Sequence, residues 1–277
     1  MPPKSPNVGL NDGARMPQLG LGLWQAPDED AAQIVGAAVD AGYRLFDTAA
    51  AYRNERGVGE GLASAGVERD KLFITTKLWN DNQGYDAALV AFDKSLMRLR
   101  LEAVDLYLVH WPAPKRDLYV ETWRALIRLK EEGRARSIGV SNFEPEHLQR
   151  LMDETGVAPA VNQIEVHPRF QQRRLREFHA RFDIRTQSWS PLGTGTLLDD
   201  STVGAIAKKH SVTPAQTIIR WHIENDLIVI PKSTTPARIR ENTDVFDLRL
   251  DEDDMARLAQ LDTPDGRIGP DPMTAPF

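Results

Sequence analysis

An acid, a phenol, an amine and an imidazole recur at one kind of place in this chain: Asp47, Tyr52, Lys77 and His110 sit at or just beyond the ends of short apolar runs. The runs read Phe46-Asp47-Thr48, Thr76-Lys77 and Val109-His110-Trp111, with Tyr52 in the stretch after the first. A phenol titrates near about 10 and is a reluctant acid at neutral pH, so it needs help to act. An ammonium beside it favours the phenolate and lowers that value. A lysine among apolar residues needs a counter-charge, and Asp47 is the natural one. A neutral histidine nearby can donate a hydrogen bond to a carbonyl oxygen and orient it. Together the four groups can protonate an oxygen that becomes an alkoxide as hydride reaches its carbon. No side chain supplies hydride, so a nicotinamide cofactor is implied.

Taken singly, each residue has a plainer reading: Lys77 with Asp47 as a structural ion pair, Tyr52 as a loop residue, His110 as a core histidine. The remaining histidines, His147, His167, His179, His210 and His222, are read as core residues. What sets the four apart is the elements that must carry them. Apolar runs without strict alternation fall at 19–23, 44–48, 72–78, 104–111, 135–140, 160–166, 184–189 and 227–230, as expected of parallel strands covered on both faces. Helical stretches lie between them: 29–41 after an acidic cluster and before Gly42, 86–99 with Leu89, Phe92, Leu96 and Leu99 on one face, and 119–131 before Gly133. Thr213-Pro214-Ala215-Gln216 is a capping box opening another helix, and Asp251 opens a last one carrying Met255, Leu258 and Leu261.

This rhythm predicts an α/β fold, a (β/α)8 TIM barrel, as a single domain over residues 1–277 with an extra C-terminal helix. Asn11-Asp12-Gly13 between the apolar runs 8–10 and 16–19 adds an N-terminal β-hairpin. A doubly wound open sheet is the rival, but Gly20-Leu21-Gly22-Leu23-Trp24-Gln25 lacks the third glycine of its nucleotide fingerprint. A barrel puts its active site at the C-terminal strand ends, where all four residues converge.

Composition narrows the partners. The formal charge of −6 argues against nucleic acid or an anionic membrane, since either needs a dense basic surface. Arg169, Arg173, Arg174 and Arg176 read as a solvated helix face. The absence of cysteine removes disulfides, thiol nucleophiles and zinc–thiolate sites, and no His-x-His or His-Glu-x-x-His pattern suggests a metal. Met1-Pro2-Pro3-Lys4-Ser5-Pro6 lacks a signal-peptide apolar run. A soluble, cytoplasmic monomer acting on a small molecule is expected.

At these same residues the sequence resembles the aldo-keto reductases along nearly its whole length. The likeness is carried by Gly42-Tyr43-Arg44-Leu45-Phe46-Asp47-Thr48-Ala49, Ile74-Thr75-Thr76-Lys77-Leu78-Trp79, Val104-Asp105-Leu106-Tyr107-Leu108-Val109-His110-Trp111-Pro112, Ser137-Ile138-Gly139-Val140-Ser141-Asn142-Phe143, Asn162-Gln163-Ile164-Glu165 and Ile230-Pro231-Lys232-Ser233. The resemblance implies that Asp47, Tyr52, Lys77 and His110 form the catalytic tetrad, with Tyr52 as general acid. It implies that Ser141, Asn142 and Gln163 bond a nicotinamide carboxamide, that Trp189 stacks on its ring where the family usually has Tyr, and that Ser190 and Leu192 lie alongside. Lys232, Ser233, Thr234 and Arg238 match a 2′-phosphate pocket, and Glu241 and Asn242 adenine contacts. The helix beginning at Thr235-Pro236 and the planar fork of Arg238 suit a phosphate, so NADPH is expected over NADH.

Within the family, Trp79-Asn80-Asp81 and Trp189 are similar to the bacterial 2,5-diketo-D-gluconate reductases, whereas Trp24 departs from the Phe usual there. Trp24, Trp79 and Trp111 would wall an apolar substrate pocket. The expected reaction is NADPH-dependent reduction of aldehydes or ketones, α-dicarbonyls and keto-sugar acids among them. A regulatory NADPH-binding protein that keeps the fold without turnover is the alternative, which loss of Tyr52 or Lys77 would have favoured. Specificity is expected in residues 193–200 and the tail 266–277.

Overall fold

A computed structural model describes residues 5–275; residues 1–4, and 276–277 at the end of the tail, lie outside the described residues. Strands β1 (Asn7–Gly9) and β2 (Arg15–Pro17) pair antiparallel with Val8 opposite Met16, the hairpin expected around Asn11-Asp12-Gly13. Its Leu10 and Met16 are buried against Leu45, Phe73 and Ala160, at the starts of later strands, and Asn11 Nδ2 donates to Pro159 O at 2.9 Å. The hairpin therefore covers the end of the barrel opposite the expected active site.

Eight parallel strands follow in sequence order: β3 (Leu21–Gly22), β4 (Leu45–Asp47), β5 (Phe73–Leu78), β6 (Val104–Val109), β7 (Ala135–Ser141), β8 (Val161–Glu165), β9 (Arg185–Trp189) and β10 (Ile228–Val229). Bridges Leu19–Val229 and Gly22–Lys232 join the first to the last and close the sheet. Each expected strand is present, with differences confined to its ends. Every residue of β5 and β6 is buried, because helices cover one face and barrel side chains the other.

The helices are α1 (Asp28–Ala41), α2 (Glu55–Ser64), α3 (Tyr85–Leu99), α4 (Tyr119–Glu131), α5 (Pro145–Thr155), α6 (Arg173–Arg181), α7 (Ser201–His210), α8 (Pro214–Glu224), α9 (Pro236–Glu241) and α10 (Glu252–Ala259). On α3, Ala88, Phe92, Leu96 and Leu99 fall on one buried stripe, and Phe92 meets Tyr107 of β6 edge-on with ring centroids 4.6 Å apart. Phe92→Ala would leave a core cavity at a cost of about 3–5 kcal/mol. The capping boxes at Thr213–Gln216 and Asp251–Asp254 both form, satisfying first-turn N–H groups of α8 and α10.

Helix α2 is less legible, since Gly57, Gly59 and Gly61 weaken its intrinsic preference. Close packing requires them: a Cβ on Gly57 would lie 1.9 Å from Asp28 O, and one on Gly59 2.5 Å from Leu99 O. Four of the five remaining histidines are buried as expected; His210 is instead half-buried on α7, 2.7 Å from Asp254.

Candidate active site

Asp47 ends β4, Lys77 lies near the end of β5, and His110 follows β6 directly. Tyr52 closes a 3-10 turn, Ala50–Tyr52, and Arg53 beyond it takes a left-handed φ of 58°. That turn is held by the buried side chain of Asn54. Its Nδ2 donates to Leu23 O at 2.8 Å and Ala26 O at 3.0 Å, while its Oδ1 accepts from Thr48 Oγ1 at 2.6 Å. Glu55, also buried, accepts from Thr76 Oγ1 at 2.6 Å and pairs with Arg98 at 2.5 Å. The loop carrying Tyr52 is thus tied to β3, β4, β5 and α3.

The four residues meet. Lys77 Nζ donates to Asp47 Oδ1 at 2.5 Å, to Thr48 O at 3.0 Å and to Tyr52 Oη at 3.2 Å, with the Tyr52 ring centroid 4.9 Å away. His110 stands edge-on to Tyr52, with ring centroids 5.7 Å apart, and to Trp79, at 5.3 Å. Burial opposes charge on Lys77, but attraction from Asp47 and bonds to Asp47 and Tyr52 hold its ammonium above the ordinary value. Burial likewise raises the Tyr52 phenol, outweighing the downward pull of Lys77. Here the structure differs from the sequence expectation of a lowered phenol: removal from water disfavours phenolate more than the neighbouring cation favours it. Burial, then Lys77, pushes His110 well below its usual range, so the imidazole is neutral.

A cleft of about 1040 Å³ opens over these groups. Asp47, Tyr52, His110, Ser141, Asn142, Gln163, Trp189, Ser190 and Lys232 all line it, as do the three indoles Trp24, Trp79 and Trp111. Trp24 is 48% exposed and Trp111 8%, so the indole wall runs from rim to base. Leu192 does not line the cleft; its side chain packs against the main core. Ser233, Thr234, Arg238, Glu241 and Asn242 lie outside the cleft lining, on the segment after β10 and along α9. Thr235 N bonds Ser233 Oγ at 3.2 Å, and Thr213 Oγ1 donates to Glu241 Oε1 at 2.9 Å.

These residues fit a nicotinamide dinucleotide phosphate. Gln163 Nε2 donates to Asp47 Oδ2 at 2.7 Å and Gln187 Oε1 at 2.8 Å, so its amide nitrogen is fully engaged within the chain and its carbonyl oxygen is the end that could accept from a ligand. Asn142 Nδ2 donates to His110 O at 3.0 Å and Ser141 Oγ at 3.1 Å, and Trp189 Nε1 donates to Asn142 Oδ1 at 2.8 Å. That indole bond is one the sequence did not suggest, and it leaves one lone pair on Asn142 Oδ1. Lys232 and Arg238 are exposed, and their side chains have no ion-pair partner among the described residues. Two such cations after β10 suit a phosphate.

Sequence reasoning missed Thr48, whose carbonyl accepts from Lys77, and Gln187, which holds Gln163. Ile268, Gly269 and Pro270 line the cleft as well, within the tail 266–277 where specificity is expected, although no pattern singles them out. Backbone acceptors carry no residue-type signal, and a tail contact has no local pattern. Among the described residues the one acidic cluster able to hold a metal is Asp251, Asp253 and Asp254, where Asp254 is already engaged by Lys209 and His210.

A closed eight-stranded barrel with this polar quartet beneath a long cleft defines an enzyme of the (β/α)8 class acting on small molecules. The sequence profile of the Aldo/keto reductase family matches residues 18–263. An aldo-keto reductase of Mycolicibacterium smegmatis is 55% identical over 273 residues, covering 99% of each chain. The methylglyoxal reductase DkgA of Yersinia pestis is 54% identical over 269 residues, 96% of each chain. The crystal structure of Gox0644 in its apo form has a TM-score of 0.95 to this chain at 56% identity over 99% of both, and an alanine variant of Gox0644 has been solved with NADPH. The chain belongs to the aldo/keto reductase family.

Proposed function

We propose that the chain is an NADPH-dependent carbonyl reductase in which Tyr52 donates the proton. One observation carries this reading: the Lys77 ammonium touches both Asp47 and Tyr52 at the base of a cleft walled by three indoles. NADPH, when bound, supplies hydride to the carbonyl carbon. The residues of the chain then manage the oxygen. Burial keeps the phenol of Tyr52 protonated through neutral pH, ready to donate. As the proton leaves, Lys77 stabilises the phenolate that forms, and Asp47 keeps Lys77 charged. Neutral His110, whose Nδ1 is enclosed without a partner, offers Nε2 to orient the carbonyl oxygen.

The cofactor contacts follow the same reading. Ser141, Asn142 and the Gln163 carbonyl hold the carboxamide, and Trp189 presents a flat face to the ring, with Ser190 beside it. Lys232, Ser233, Thr234 and Arg238 take the 2′-phosphate; Glu241 and Asn242 take the adenine. The relative named methylglyoxal reductase and the NADPH-bound variant of Gox0644 support a small dicarbonyl substrate and this cofactor. Arg53 lines the cleft and has no ion-pair partner among the described residues, which favours keto-sugar acids such as 2,5-diketo-D-gluconate as a second substrate class.

The test is NADPH consumption with methylglyoxal, simple aldehydes and keto-sugar acids. The parent chain is expected to consume cofactor with at least one class, and Tyr52→Phe to do so at least about 10²-fold more slowly. A protein that only binds would leave consumption at the level of buffer for every carbonyl.

A further inference from the structure

Glu165 ends β8 with its carboxylate buried, 1% exposed, and outside the quartet. Its two oxygens accept from consecutive backbone N–H groups of the C-terminal tail: Oε1 from Ile268 at 2.6 Å and Oε2 from Gly269 at 2.8 Å. The His167 ring nitrogen lies 3.0 Å from Oε1, and Gln172 Nε2 donates to the Glu165 carbonyl at 2.8 Å. His167 of the following loop thus touches the carboxylate itself, while Gln172 holds the backbone that carries it. The tail has no sheet partner among the described residues; Thr263 N donates to Arg169 O at 3.1 Å and Arg267 Nη2 reaches Glu144 Oε1 at 3.5 Å before the two bonds to Glu165 fix residues 268 and 269.

The path matters because Ile268, Gly269 and Pro270 line the same cleft as Tyr52 and His110. Gly269 also presses on Trp189. A Cβ there would lie 2.5 Å from Trp189 Cη2 and 3.0 Å from Glu165 Oε2, so no other residue fits without moving the indole or the tail. On another side Trp189 Nε1 is bonded to Asn142 Oδ1 at 2.8 Å. Ile268 is 45% exposed, an apolar side chain offered to the cleft rather than to the core. Behind it the Arg267 guanidinium sits 4.8 Å over the Phe170 ring.

We propose that Glu165 is a positioning residue that straps residues 268–270 across the cleft, fixing the substrate wall and, through Gly269, the orientation of Trp189. The strap sets how bulky a carbonyl compound the cleft admits. The proposal rests on the reading of the cleft as the carbonyl site.

The test compares Glu165→Gln, Glu165→Ala and Gly269→Ala with the parent, using full-length chain and NADPH. Three readouts are taken: KM and kcat for methylglyoxal, the same for a bulky aromatic aldehyde, and the rate of tryptic cleavage after Arg267. Releasing the strap is expected to raise KM for methylglyoxal about tenfold in Glu165→Ala and Gly269→Ala, with kcat changing less than about threefold. The ratio of kcat/KM between bulky and small substrate shifts toward the bulky one. Tryptic cleavage after Arg267 accelerates in Glu165→Ala, and Glu165→Gln, which keeps one good acceptor, falls between. Equal KM values and equal cleavage in all three variants overturn the proposal. Faster cleavage with unchanged KM overturns it too, since the strap would then not shape the cleft. Should Glu165→Ala fail to fold, Gly269→Ala still decides. If the parent reduces no carbonyl, the functional reading fails by itself, while cleavage after Arg267 still reports on the strap.

Discussion

Gln163 Nε2 donates to Asp47 Oδ2 at 2.7 Å, joining residues 116 positions apart in sequence. The bond connects an amide facing the cleft with the carboxylate that holds Lys77. Gln163→Leu would strip a buried carboxylate oxygen of its donor, at about 1–3 kcal/mol of stability. Chemical denaturation of the variant should show that loss, together with weaker NADPH binding. Unchanged stability would separate Gln163 from the ion pair.

Tyr52→Phe removes only the hydroxyl. Reduction is expected to fall by about 10²-fold to 10⁴-fold, the usual contribution of a positioned proton donor, while NADPH affinity stays near the parent value. Steady-state rates and fluorescence titration of the cofactor check this. Retained turnover would end the assignment.

The neutral state of His110 and the raised phenol of Tyr52 together set the pH profile of reduction. Neither group changes charge across the neutral range, His110 because burial keeps it neutral and Tyr52 because burial keeps it protonated. For reduction of a small aldehyde, kcat should therefore stay level between about pH 6 and 9. An inflection near about 6.5, where an exposed histidine titrates, would contradict the neutral imidazole.

Stability should depend on pH through other histidines. Burial holds His179 at about 3 and His222 at about 4. The unfolded chain takes up protons at both near about 6.5, so below that pH it binds more protons than the native state. Stability then falls as pH drops toward about 4, each group contributing up to about 1.4 kcal/mol per pH unit. Urea midpoints at neutral and mildly acidic pH test the sign; a midpoint that rises on acidification would count against it.

Arg238 carries the preference between the two dinucleotides in the reading proposed. Arg238→Ala should weaken NADPH binding by about tenfold to a hundredfold, the worth of a charge-assisted contact, and leave NADH nearly unchanged. Calorimetric titration with both cofactors distinguishes this from a general loss. Equal losses would remove the phosphate pocket.

The barrel, its hairpin and the quartet at the strand ends were all legible in the sequence. Apolar runs, capping boxes and the position of a polar residue at the end of a run are local properties, written within a few residues. What only the tertiary structure decided were quantities set by distant neighbours. Helix α2 tolerates its three glycines because α1 and α3 press on them. The Tyr52 phenol moves up rather than down because its depth in the fold outweighs the cation at 3.2 Å. Leu192 turns to the core, Trp189 bonds Asn142, and the tail reaches Glu165 across 103 and 104 positions of chain. Burial and long-range hydrogen bonding depend on how the whole chain closes on itself, and no window of sequence contains that information.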